Sequence, residues 1–307
     1  MRLHRSITIV MAAMLTALLA LGGCSTKPAA EETTAERACI ELMQKVPVYY
    51  EDFEFWDAST LQSDADLTEF YQVWHGRRGE WLENFGISSA DVDYVAEAGV
   101  LTLARGDFSL QDVRDGLSLF EDDYYLDTSY TDMEVWVCKP SEHKPGEIPP
   151  PPRIGGAVAL TEGLFVWGNK FNVDDYLRVV RGEELSMYDK NAAEVLERLP
   201  EGIMTRISRS PYPEGVIISG SSIKKEEKGT YSWVNVYKFE SPEAVESADA
   251  DEYFKGIEDD FKEAESVFAE RGEPCPFRSF TLEQQREFVE WSVLIEEKYM
   301  IALLFYG

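Results

Sequence analysis

Apolar residues recur along this chain in two rhythms, a period of two and a period near 3.6, and the changes between them mark out the elements. Val100–Arg105 reads as a strand. It passes through Gly106-Asp107-Phe108 into Ser109-Leu110-Gln111-Asp112, a capping-box pattern, and Leu110, Val113, Leu117 and Phe120 then follow at helical steps. Leu164–Trp167 leads in the same way through Gly168-Asn169-Lys170-Phe171 into a helix carrying Val173, Tyr176, Leu177 and Val180. Tyr231–Phe239 leads into Ser241-Pro242-Glu243, an N-cap with proline at the first helical position. Phe254, Ile257, Phe261, Ala264 and Phe268 then form one stripe, and Gly272 stops the helix.

After each helix come two strand-like segments rather than one. Met133–Cys138 and Ala157–Leu160 follow the first, separated by the proline-rich stretch Pro145–Pro152. Near the C-terminus Val289, Trp291, Val293 and Ile295 alternate with Glu290, Ser292 and Leu294, Glu296-Glu297-Lys298 makes a turn, and Tyr299–Tyr306 is almost wholly apolar. Thr281-Leu282-Glu283-Gln284 fits a capping box and offers a rival helix over 282–292, but the period-two alternation favours a strand. Further strands are expected at Val46–Trp56, Ile203–Ile207 and Val216–Ile223, with helices at Asp66–Phe85 and Asp189–Leu199. This order predicts an α+β protein: repeated strand-helix-strand-strand units forming antiparallel sheets, with helices on one face. The proline-rich stretch divides two α+β subdomains, 39–152 and 153–307, or forms a long hairpin loop inside one sheet.

The first 24 residues have a different character. Arg2, His4 and Arg5 precede an apolar run from Ile7 to Leu21, broken only by Thr8 and Thr16, which ends in Leu21-Gly22-Gly23-Cys24. The run is shorter than the ~20 residues that a spanning helix needs. Its ending resembles the lipobox of prokaryotic lipoproteins, with Gly22 where that family usually carries Ala or Ser. The resemblance implies cleavage after Gly23, removal of residues 1–23, and a lipid anchor on the Cys24 thiol. Residues 24–38 then serve as lipidated cysteine and flexible tether. The strand-glycine-cap-helix order resembles, loosely, acidic envelope lipoproteins whose activity is not established. That likeness implies an extracytoplasmic location on a cell membrane or outer membrane.

Charge sharpens this picture. The 307 residues hold 57 Asp plus Glu against 29 Lys plus Arg. Loss of residues 1–23 removes Arg2 and Arg5 and no acid, so the balance moves from 29 − 57 = −28 to 27 − 57 = −30. A body this acidic lacks the basic patch that releases counterions from nucleic acid, and anionic headgroups repel it. Beyond Cys24 the cysteines are Cys39, Cys138 and Cys275, an odd set without C-x-x-C spacing.

No catalytic motif emerges. Gly220-Ser221-Ser222 lacks the glycine of a nucleophile elbow, and no histidine follows His143. H-E-x-x-H, the P-loop and G-x-G-x-x-G are absent. The acidic runs Glu121-Asp122-Asp123 with Asp127, and Asp249, Asp251 and Glu252, lack EF-hand spacing and read as solvated surface. No metal or other cofactor is expected. The most unusual composition is Tyr71–Trp81, where helical spacing puts Trp74, Arg78 and Trp81 on one face, interrupted by Gly76 and Gly79. Aromatic rings beside a guanidinium suit a glycan or a peptide carboxylate; the same spacing also suits a core stripe of Phe70, Trp74, Trp81 and Phe85. The expectation is a non-enzymatic, lipid-anchored binding or scaffold protein of the envelope, with Trp74, Arg78 and Trp81 holding a glycan, peptide or protein ligand. A carboxylate-dependent secreted hydrolase and a solute-binding component of an importer are the alternatives.

Overall fold

A computed structural model of the chain describes residues 34–119, 124–131, 133–139, 156–209, 212–227 and 229–296. The expected signal sequence over residues 1–23, Cys24 and the Tyr299–Tyr306 run fall outside them. Residues from Ala35 onward cluster as one compact unit.

Helix α1 (Ala35–Met43) opens this unit. The tether expected over 24–38 therefore stops earlier: Ala35 and Ala38 are buried beside Cys39 and Leu42, and that apolar face winds the last four tether residues into a helix. Strand β1 (Asp52–Asp57) follows. A helical run then comprises α2 (Ala58–Ser63), a 3₁₀ turn, α3 (Thr68–Trp74), a π turn (His75–Gly79) and α4 (Glu80–Glu83). Next come β2 (Val92–Ala98), β3 (Leu101–Gly106), α5 (Leu110–Ser118), β4 (Tyr124–Leu126), β5 (Glu134–Cys138), β6 (Ala157–Thr161) and β7 (Leu164–Gly168). Helices α6 (Lys170–Val180) and α7 (Lys190–Leu196) lead to β8 (Met204–Ser208), β9 (Val216–Lys225) and β10 (Thr230–Phe239). The chain continues through α8 (Pro242–Val245) and α9 (Ala248–Arg271) to β11 (Phe277–Gln285) and β12 (Phe288–Glu296).

All twelve strands join one antiparallel sheet in the order β11-β12-β10-β9-β8-β1-β2-β3-β7-β6-β5-β4. The proline-rich stretch connects β5 to β6, which are hydrogen-bonded neighbours paired from Glu134↔Leu160 to Val137↔Ala157. Residue 153, the expected subdomain boundary, lies in that connection.

The helices cover both faces of the sheet, which corrects the one-sided arrangement expected from the sequence. Neighbouring residues point to opposite sides: Trp56, Val95, Ala104 and Phe165 enter one core, and Phe55, Ala96, Leu103 and Val166 enter the other. The first core takes Leu61, Phe70, Leu82, Val113 and Phe254 from α2, α3, α4, α5 and α9. The second takes Leu42, Leu177 and Val195 from α1, α6 and α7. The reason lies in strands such as β6, where Ala157, Val158, Ala159 and Leu160 are all buried. A strand apolar on both sides needs a cover on each.

Candidate functional site

The first core face carries a stretch of polar floor that the register builds into a row. Glu54 of β1 lies opposite Arg206 of β8, Arg206 opposite Ser221 of β9, and Ser221 opposite Asn235 of β10. Four polar side chains thus cross four strands, spanning about 14 Å at the usual strand spacing. Ser208 and Ser219 pair beside this row, as do Ile223 and Trp233. Together with Met204 these residues line a groove of about 280 Å³.

Helices bound the groove on two sides. On one side the π turn reaches the sheet: Arg78 donates to Glu54 Oε1 at 3.0 Å and to Glu97 Oε2 at 2.5 Å, and its guanidinium lies 5.3 Å from the Trp56 ring. Trp56 Nε1 also donates to Glu54 Oε1, so both bonds fall on one oxygen and Oε2 is left as an acceptor. Opposite, Trp233 meets the Trp291 edge at 4.9 Å, and Trp291 packs against Phe261 of α9. Further along β10, Phe70 of α3 meets Tyr231 at 5.5 Å.

Within the floor, Trp233 Nε1 donates to Ser221 Oγ at 2.7 Å, which leaves the serine proton to donate elsewhere. Asn235 is 8% exposed and its Nδ2 has no hydrogen-bond partner. A buried amide donor without an acceptor costs about 1–3 kcal/mol. Arg206 is exposed and lies 3.4 Å from Asp52. Counted together, Arg78 and Arg206 face Glu54, Glu97 and Asp52, so the groove is nearly charge-balanced inside a strongly acidic protein.

The residues that the sequence put forward as a ligand site are placed differently. Trp74 is fully buried and stacks on Tyr71 at 5.8 Å. Trp81 meets Phe85 and Trp167 edge-on at 5.1 and 5.0 Å. Arg78 is committed to its two carboxylates. Rings and guanidinium thus face different partners, because the π turn breaks the 3.6 spacing on which a shared face depends. Arg78 nevertheless touches the groove through Glu54. The floor residues Arg206, Ser219 and Asn235 escaped the sequence reading, and Ser221 was weighed only as a nucleophile, because alternate polar positions in a strand usually face solvent. Their signal was the apolar partner set Ile207, Ile218 and Val236, which fixes the polar face; only strand order lines them up.

Among the described residues no group of His, Cys, Asp and Glu can hold a metal ion, and the expected acidic run at Glu121-Asp122-Asp123 lies outside them. Cys39, Cys138 and Cys275 are thiols, and burial pushes the Cys39 thiol strongly up in pKa. No described helix is long and apolar enough to cross a membrane.

The chain matches no family model and no curated protein. Among solved structures, crystal form III of TP0453 is similar over 85% of this chain and 96% of that chain, at 6% sequence identity and a TM-score of 0.44. So distant a likeness says nothing of what this chain binds.

Proposed function

We propose that this chain is a non-enzymatic, lipid-anchored protein of the cell envelope, held on the extracytoplasmic side through Cys24, and that the groove over β1, β8, β9 and β10 binds a small polar ligand. The groove carries the reading. Its floor is a row of hydrogen-bonding side chains on rigid strands, its amide donor at Asn235 lacks an acceptor, and its volume of about 280 Å³ lies at the small end of ligand pockets. The charge pattern favours binding over hydrolysis. Arg78 lies between Glu54 and Glu97 and pairs with both, so these carboxylates are tied to a cation and do not face each other as an acid–base pair. The anchor rests on Leu21-Gly22-Gly23-Cys24 and on the 10 residues between Cys24 and Ala35. Acyl chains at ~0.8 kcal/mol per buried methylene hold such a body without a membrane-spanning helix.

The test joins both halves. Cys24→Ser is expected to release the protein from the membrane fraction and abolish acyl labelling; retention in the membrane contradicts the anchor. Ser219→Trp fills the groove from a half-buried position. In a thermal-shift screen of small polar compounds, a stabiliser of the wild type is expected to lose its effect on this variant. If every stabiliser acts equally on both proteins, the groove is not the binding site.

A further inference from the structure

We infer that the ligand is an uncharged polyol, a sugar of the hexose type, bound across the row Glu54–Arg206–Ser221–Asn235. The inference rests on the groove being a ligand site and follows from the order of donors and acceptors in it. The Glu54 carboxylate, paired with Arg78, accepts through the Oε2 that Arg78 and Trp56 leave unused. Arg206 only donates, and its contact to Asp52 at 3.4 Å is long. Ser221 accepts from Trp233 and has a proton to give. Asn235 brings its buried, unpartnered amide N–H.

A ligand lying along this row must donate to Glu54 and, about 5 Å further on at the spacing of adjacent strands, accept from Arg206, with Ser221 and Asn235 offering further protons beyond it. A hydroxyl does both, and adjacent ring hydroxyls offer several such groups in a row. A carboxylate or phosphate would satisfy Arg206 but would meet Glu54, with Glu97 and Asp52 beyond it. An ammonium group would meet the reverse conflict at Arg206. Arg78 does not rescue an anion, because its charge is already shared between two glutamates. The flanks fit the same class. Trp233, Met204 and Ile223 give an apolar wall beside the polar floor, matching the apolar C–H faces of a pyranose ring.

Isothermal titration of the full chain in detergent tests this with four probes: glucose, N-acetylglucosamine, glucuronate and glycylglycine. Wild type is expected to bind at least one of the two neutral sugars, and more tightly than glucuronate by about tenfold or more. Asn235→Ala is expected to weaken that binding about tenfold, and Ser219→Trp to abolish it, with both variants checked for an unchanged circular-dichroism spectrum. Glucuronate or glycylglycine binding that Ser219→Trp removes, with no sugar binding, overturns the polyol inference but leaves the groove as a ligand site. Failure of all four probes overturns the inference as well, and the compound screen with Ser219→Trp then decides the groove reading alone.

Discussion

Removing a guanidinium from water costs several kcal/mol unless its charge is met in place. The Arg78 side chain, 13% exposed, is met by Glu54 and Glu97 on adjacent strands, and this explains why an arginine between two tryptophans is part of the packing and not an open anion site. Neither glutamate is near Arg78 in sequence, so composition alone could suggest a site but could not show that the arginine was occupied. Period-two patterning is a stronger guide at single residues, because strand geometry fixes the face. Val293 is 1% exposed in the first core, while Ser292 faces the other way and its hydroxyl pairs with Thr281 Oγ1 at 2.8 Å. Val293→Asp buries an unpaired carboxylate and is expected to cost about 3–5 kcal/mol in urea unfolding. Ser292→Asp keeps an acceptor for Thr281 and is expected to cost under about 1 kcal/mol. Equal losses would mean that β12 does not have this register.

At the scale of elements, the legible signals were those that act within a few residues. Ser109 and Asp112 form the reciprocal capping box, Ser241 caps α8 ahead of Pro242, and Gly272 ends α9 at φ 68°. Helix α6 starts at Lys170, inside the Gly168–Phe171 stretch expected to lead into it, and Asn169 makes no side-chain cap bond. The expected helix over 66–85 is continuous in outline, with its π turn at the segment bounded by Gly76 and Gly79. Strands β2, β4 and β11 went unread, and the Thr281 capping pattern lies within β11. Most of β11 is exposed, so it lacks the apolar alternation that identifies β12. Tertiary approach also sets what a helical glycine does. An alanine Cβ at Gly116 of α5 would stand 2.3 Å from the Phe85 carbonyl, whereas at Gly256 of α9 nothing lies within 4 Å. Glycine to alanine in a helix normally stabilises by about 0.5–1 kcal/mol. Gly256→Ala is expected to show that gain, and Gly116→Ala to lose about 1–3 kcal/mol because backbone cannot yield as a side chain can. Chemical denaturation of the two variants checks the sign, and a gain at Gly116 would refute the close approach of α5 to the end of α4.

For the whole molecule, the sheet order was not legible because it depends on which distant strands meet. β1 inserts between β8 and β2, a pairing across some 150 residues that no local pattern encodes. Net charge, by contrast, is plain in the sequence, and its effect on stability depends on pH through two opposing terms. Protonating carboxylates relieves the self-repulsion of a −28 chain, which favours the folded state as pH falls. Against this, paired and capping carboxyls have depressed folded pKa values. The Arg114 guanidinium holds Glu134 below its ordinary 4.5, Lys225 holds Asp64 below 3.8, and the Ser109 cap holds Asp112 below 3.8. Depressed groups contribute stability that is complete above their unfolded values and is lost as pH falls through the folded ones. At 0.15 M salt the Debye length is about 8 Å, so diffuse repulsion is screened while contacts such as Arg114–Glu134 at 2.6 Å persist. The pairs therefore dominate, and the melting temperature is expected to stay level from about pH 7 to 5 and to fall below about 4.5. Arg114→Gln removes the hold on Glu134, so its acid limb should be shallower than that of the wild type. At about 0.01 M salt the Debye length grows to about 30 Å, and adding salt at pH 7 should then raise the melting temperature. A melting temperature that climbs steadily from pH 5 to 3 at the higher salt would show that repulsion outweighs the pairs.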